Sequence, residues 1–260
     1  MKKSLFLLMM ALLPMAVLAQ SDDFGVWTSI GVDKKISKKV SVGVEAELRT
    51  RDELSTVDRW SFGVDAAYKF SKQLKLSAGY TLLHDPNVER ISYYDADDDL
   101  VLEQEVEVGD AKKRGEFAVT RHRFNVSLTG DVNLGGFNVS LRERWQYTYR
   151  PEVTVDERWD YYDEAWDGKT HSYRGKGKNV LRSRLKVEYK FKPIRLTPFV
   201  SAELFNAWDV QKVRYAVGTE WKINKQNALE VAYRYQNVRN DDTDFEPNRH
   251  ILGIAYSYKF

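Results

Sequence analysis

The chain contains no cysteine, so no disulfide can brace it in any compartment, and its stability must come from hydrogen bonding and packing. After the first nineteen residues it has no apolar run of helix-spanning length, which argues against a helical inner-membrane protein. It also lacks an excess of either charge. There are 40 Lys and Arg against 38 Asp and Glu, and Lys2 and Lys3 lie in the leader described next, so the remainder is balanced. A nucleic-acid binder is expected to be basic, so no nucleic-acid partner is expected. The four histidines fall at no metal-ligand spacing, and neither a metal nor a cofactor is expected.

What is present begins with an export leader. Lys2 and Lys3 form a short positive region, Leu5 to Leu18 is apolar apart from a break at Pro14, and Val17-Leu18-Ala19 suits cleavage. This is the layout of a secretory signal peptide over residues 1–19, leaving 20–260 as the mature chain. The apolar run is short of the roughly 20 residues that a membrane anchor needs. No Cys follows the cleavage site, which excludes a lipoprotein.

Charged residues make up 30% and aromatics 13% of the chain, a pairing that suits a barrel with charges inside and aromatics toward lipid. Period-2 alternation supports this. From Val40 to Arg49, Val40, Val42, Val44, Ala46 and Leu48 alternate with Ser41, Gly43, Glu45, Glu47 and Arg49. Similar runs recur to the C-terminus. Many are near the roughly 9 to 11 residues of a tilted membrane strand, whereas strands in a soluble β-sandwich are usually about 5 to 6.

Short connections near 35–39, 71–73, 131–136, 192–195 and 224–227 alternate with longer ones near 52–57, 84–117, 151–178, 206–211 and 237–248. Short periplasmic turns opposite long extracellular loops mark an outer-membrane barrel. The expected fold is an all-β, antiparallel, up-and-down transmembrane barrel of 10–12 strands. Counting back from a periplasmic C-terminus gives ten strands from Val40 onward. Phe24 to Val32 also reads as a strand, but it would run downward from outside. Parity favours an even total.

The last strand alternates Leu252, Ile254, Tyr256, Tyr258 and Phe260. Tyr256, Tyr258 and the terminal Phe260 resemble the C-terminal signal read by the barrel-assembly machinery. With Trp27, the Glu45-x-Glu47-x-Arg49 to Arg51 stretch and the Arg142-x-Arg144 strand, this ending resembles an uncharacterised family of small outer-membrane β-barrels of Gram-negative bacteria, a domain of unknown function. The resemblance covers essentially the whole mature chain. It implies fold and location and carries no catalytic or ligand residues.

The predicted inner faces are charged. Glu45, Glu47 and Arg49, Arg142 and Arg144, and Arg182, Arg184, Lys186 and Glu188 form the expected lumen network, with Glu203, Glu220 and Glu230 sharing the interior. Salt-bridged filling of a narrow lumen is the favoured reading, giving a structural or binding barrel. A small pore or transporter for a polar or anionic solute is the alternative.

The acidic stretch Asp95 to Asp110 lacks the Gly of an EF-hand loop and reads as a solvated extracellular loop. Trp159, Tyr161, Tyr162, Trp166 and Tyr173 in the next loop read as a lid or interface. A lipid-modifying enzyme is the third reading, resting on His122, Glu143 and Ser183, all predicted to face outward. A β-bulge turning Glu143 inward is its competitor. The expected partners are outer-membrane lipid, lipopolysaccharide and the barrel-assembly machinery, with the chain a monomer.

Overall fold

The computed structural model describes residues 22–94, 100–101, 111–190, 195–239 and 247–260. The leader and most of the acidic stretch Asp95 to Asp110 lie outside these residues. Eleven long strands form the barrel: β1 (Asp23–Lys35), β2 (Val40–Arg51), β3 (Thr56–Lys69), β4 (Leu74–Tyr94), β5 (Ala111–Leu134) and β6 (Phe137–Arg150), followed by β7 (Lys176–Tyr189), β8 (Leu196–Ala207), β9 (Asp209–Lys222), β10 (Asn227–Val238) and β11 (Arg249–Lys259). Each pairs with its chain neighbour, and β1 pairs with β11 to close the sheet.

The count lies within the expected range, but the even parity does not hold. Strands that alternate in direction and close as an odd number must leave the first and last codirectional. β1 and β11 accordingly pair in parallel, from Asp23 opposite Arg249 to Asp33 opposite Lys259. The other seams are antiparallel. The segment Phe24 to Val32 is therefore a full barrel strand, and no upward strand precedes it among the described residues.

Burial is reversed relative to a soluble protein. The outward phase carries half-exposed large apolar groups such as Phe62 (49%), Trp145 (47%) and Leu185 (49%), whereas Ser127, Gln146, Glu203 and Gln236 are buried. A continuous apolar belt of this size has no place in water and suits a lipid-facing barrel wall.

The short connections stay tight. Gly135, at φ 63°, opens the two-residue turn between β5 and β6, where a primed turn requires positive φ. Irregularities gather at the opposite rim. The β4–β5 ladder skips from Asp85 to Val88, and the skip accommodates Pro86, which has no N–H to give a ladder.

Beyond this rim, residues 151–175 fold onto β5. Val153–Val155 pairs with His171–Tyr173, Trp159–Asp160 pairs with Ala165–Trp166, and Asp160 and Trp159 also join Lys113 and Arg114 of β5. Of the loop aromatics, Trp159 lies edge-on to Trp166 at 5.5 Å and Tyr173 stacks on Phe117 of β5 at 5.1 Å, while Tyr162 is exposed.

Asp167 is the hub of this loop. Its carboxylate accepts from Arg158 N at 3.0 Å and Lys169 N at 3.2 Å, and it meets His171 Nε2 at 2.8 Å and Lys113 Nζ at 3.3 Å. Burial pushes its pKa up, but these donors outweigh burial and hold the carboxyl well below the usual range. Lys113 is pushed up, first by its hydrogen bond to Asp160.

A depressed carboxyl pKa stabilises above its unfolded value, roughly 4, and the stabilisation fades as pH falls below that. A raised Lys stabilises fully below roughly pH 10 and loses this above it. Amide protection in 151–175, corrected for intrinsic exchange, is therefore expected to be flat between about pH 5 and 9 and to drop below about pH 4. Asp167→Asn should lose much of that protection at neutral pH. Wild-type protection in the variant would show that the ladders alone hold the loop.

Candidate functional site

Period 2 turns Arg142 and Arg144 of β6 and Arg182 and Arg184 of β7 into the lumen. The register then sets Arg144 opposite Arg182 and Arg142 opposite Arg184. Like charges directly opposite destabilise a sheet, so this arrangement needs compensation.

Glu203 of β8 supplies part of it. Its carboxylate accepts from Arg142 Nη2 at 2.5 Å and Arg182 Nη2 at 2.9 Å, and Arg214 Nη1 lies 3.7 Å away. Neutral acceptors supply more. Arg144 donates to Ser127 Oγ at 2.8 Å, Arg182 to Gln146 Oε1 at 3.0 Å and Arg123 to Thr148 Oγ1 at 3.3 Å. Arg49 pairs with Glu47 at 2.7 Å. Gly253 faces the same space without a Cβ, leaving room for the Arg234 guanidinium to lie across it.

These groups enclose a cavity of ≈ 300 Å³. Eight arginines line it, the four on β6 and β7 together with Arg49, Arg123, Arg214 and Arg234, against the three carboxylates Glu45, Glu47 and Glu203. Trp27 joins them from β1. It is 7% exposed, with the Arg49 guanidinium 3.9 Å and the Arg214 guanidinium 4.7 Å from its ring.

The expected lumen residues thus divide. Glu45, Glu47, Arg49, Arg142, Arg144, Arg182 and Arg184 meet at the cavity. Lys186 and Glu188 pair with each other at 2.7 Å, nearer the short-turn end and outside the cavity wall. Arg123, Arg214 and Arg234 were not singled out from the sequence. Their alternation with Phe124, Tyr215, Tyr233 and Tyr235 was the available signal.

The outward groups do not assemble a catalytic set. Ser183 Oγ donates to Glu143 Oε2 at 2.6 Å, while His122 Nδ1 meets Tyr80 Oη at 2.8 Å. Glu143 stands opposite Leu128, six residues along β5 from His122, or roughly 20 Å at strand rise. No register shift occurs at Glu143, so no bulge turns it inward.

At the C-terminus, Phe260 is exposed and packs edge-on to Tyr258 at 4.7 Å, and Phe260 N donates to Asp33 O at 2.9 Å. Tyr256 donates a hydrogen bond to the Asn227 side chain.

A closed, inside-out β-barrel with a charged lumen defines an outer-membrane-type barrel. The translocator domain of the autotransporter NalP from Neisseria meningitidis is similar in fold. It is 11% identical, with 92% of this chain and 90% of that chain covered and a TM-score of 0.51. The β-domain of the Bordetella autotransporter BrkA matches at 10% identity, 85% and 82% coverage and a TM-score of 0.47. The NanC porin matches at 14% identity, 93% and 100% coverage and a TM-score of 0.47. No curated protein sequence matches the chain. The chain belongs to the family described as protein of unknown function, DUF2490, whose model matches residues 24–257.

Proposed function

We propose that this protein is an outer-membrane barrel, exported through a cleaved leader of residues 1–19, whose lumen is an anion-selective passage for small solutes. The observation that carries this reading is the cavity wall, with eight arginines against three glutamates, and Glu230 reaching one of them, Arg234, from outside the wall at 3.1 Å. Fixed positive charge in a low-dielectric channel concentrates anions and repels cations. A fully salt-bridged plug would need acids in similar number, because an unpaired buried charge is costly. Eleven strands lie between the roughly 8 that side chains fill and the 16 to 18 of open porins, which suits a narrow passage.

The chain acts as a monomer among outer-membrane lipid and lipopolysaccharide. The barrel-assembly machinery engages Tyr256, Tyr258 and Phe260. The wide separation of His122 from Glu143 and Ser183 lends no support to a lipid-modifying enzyme.

In a planar bilayer with a KCl gradient, the purified protein is expected to show a reversal potential of anion-selective sign. Replacing Arg142, Arg144, Arg182 and Arg184 by Gln should move that potential toward zero. A cation-selective current, or none from protein shown to be folded and inserted, would overturn the reading.

A further inference from the structure

Building on the anion-selective reading of the lumen, we infer that the cavity beside Trp27 is a saturable binding site for a small multivalent oxyanion bearing carboxylate or phosphate groups. The first ground is a set of donors without acceptors. Trp27 Nε1 and the Nε atoms of Arg142, Arg182 and Arg184 are buried and have no hydrogen-bond partner. Arg184 makes no ion pair among the described residues, and Arg144 bonds only the neutral Ser127. Buried donors without partners are uncommon and costly. Here every orphan on the cavity wall from this set is an N–H, so the missing partner is an acceptor.

The second ground is preorganisation. Glu203 and Gln146 hold edges of Arg142 and Arg182, and Gln236 accepts from Arg214 Nη2 at 2.5 Å. The Arg49 and Arg214 guanidinium groups both lie against the Trp27 ring, 3.9 and 4.7 Å from its centre, a cation–π arrangement that restrains both. A planar guanidinium fixed by one edge can offer other N–H groups to a carboxylate or phosphate in fork geometry. A halide has no set of oxygens to use that geometry. Glu203 is therefore a positioning residue, while Trp27 and Arg184 contact the ligand. The volume of ≈ 300 Å³ is at the lower end of small-molecule sites. The wall faces the lumen, so the ligand is a soluble ion rather than a bilayer headgroup.

The test uses the full mature barrel in detergent, titrated with inorganic phosphate and separately with citrate. Ionic strength is held constant with KCl, and binding is read by calorimetry. Saturable binding of at least one probe is expected. Trp27→Phe should weaken it by about threefold or more, as for loss of a neutral donor. Arg184→Gln should weaken it by about tenfold or more, as for loss of a charged one. The same anion should block chloride current at a matching midpoint.

Both variants are first checked for the heat-sensitive mobility of a folded barrel. If one fails to fold, the other carries the comparison. Non-saturable heats with both probes, or affinities unchanged in the folded variants, would overturn the site. Anion-selective current without saturable binding sinks this inference alone. Saturable binding in a non-conducting barrel sinks the passage alone.

Discussion

Glu203→Gln is expected to lower the unfolding free energy by roughly 3 kcal/mol or more, the scale for removing one partner of a buried ion pair. Glu203 is 5% exposed and serves three guanidinium groups, so its loss leaves several like charges facing one another. Gln keeps the volume and one acceptor but removes the charge, which separates electrostatics from packing. The midpoint of denaturant unfolding in micelles measures the loss. In the double variant with Arg142→Gln the two losses should fall short of additive, because one removed cation relieves part of the repulsion. The same substitution raises the positive excess of the cavity, so the reversal potential should move further toward anion selectivity. A Glu203→Gln barrel of wild-type stability would mean that the guanidinium groups are neutralised by something other than this carboxylate.

The second large effect is expected at the parallel seam. Arg249 opens β11 and bridges two other strands. Its Nε lies 2.6 Å from Asp23 Oδ2 on β1, and its Nη1 lies 3.3 Å from Asp58 Oδ2 on β3. The Arg249 and Asp23 side chains are 7% and 8% exposed. Arg249→Leu would leave buried Asp23 without a cation and Asp58 with only Arg51, 4.0 Å away, at a cost of roughly 3 kcal/mol. Parallel pairing is slightly weaker per residue than antiparallel pairing, so the loss should appear first as faster amide exchange in β1 and β11. The antiparallel ladders of β6, β7 and β8 should keep their protection. Uniform exchange across all strands would show that the barrel opens as one unit and that Arg249 does not guard the seam.

Much of the wall is legible in the sequence. Alternation assigns a face to each residue of a strand whatever its partner, so Glu45, Glu47, Arg49, Arg142 and Arg144 read as inward from local order alone. Arg123, Arg214 and Arg234 obey the same rule. Each is flanked by an outward aromatic residue, Phe124 for Arg123, Tyr215 for Arg214, and Tyr233 and Tyr235 for Arg234.

The lateral arrangement was not legible, because local order does not specify which rows of neighbouring strands align. The opposition of Arg144 to Arg182, the pairing of Ser183 with Glu143, and the distance of His122 from both depend on register, which closure of the whole sheet sets. Strand direction made β1 and β11 codirectional at the level of sequence, yet their direct pairing follows only when the sheet curls until its edges meet.

The sequence by itself therefore determined a barrel, its lipid-facing and lumen-facing sides, and the charged character of the interior, since period 2 and strand length are local properties; the arginine excess at the cavity came only with the tertiary structure. Only the tertiary structure decided the odd count, the parallel seam and the meeting of Trp27 with Arg49 and Arg214, because these depend on which strands the closed sheet brings together.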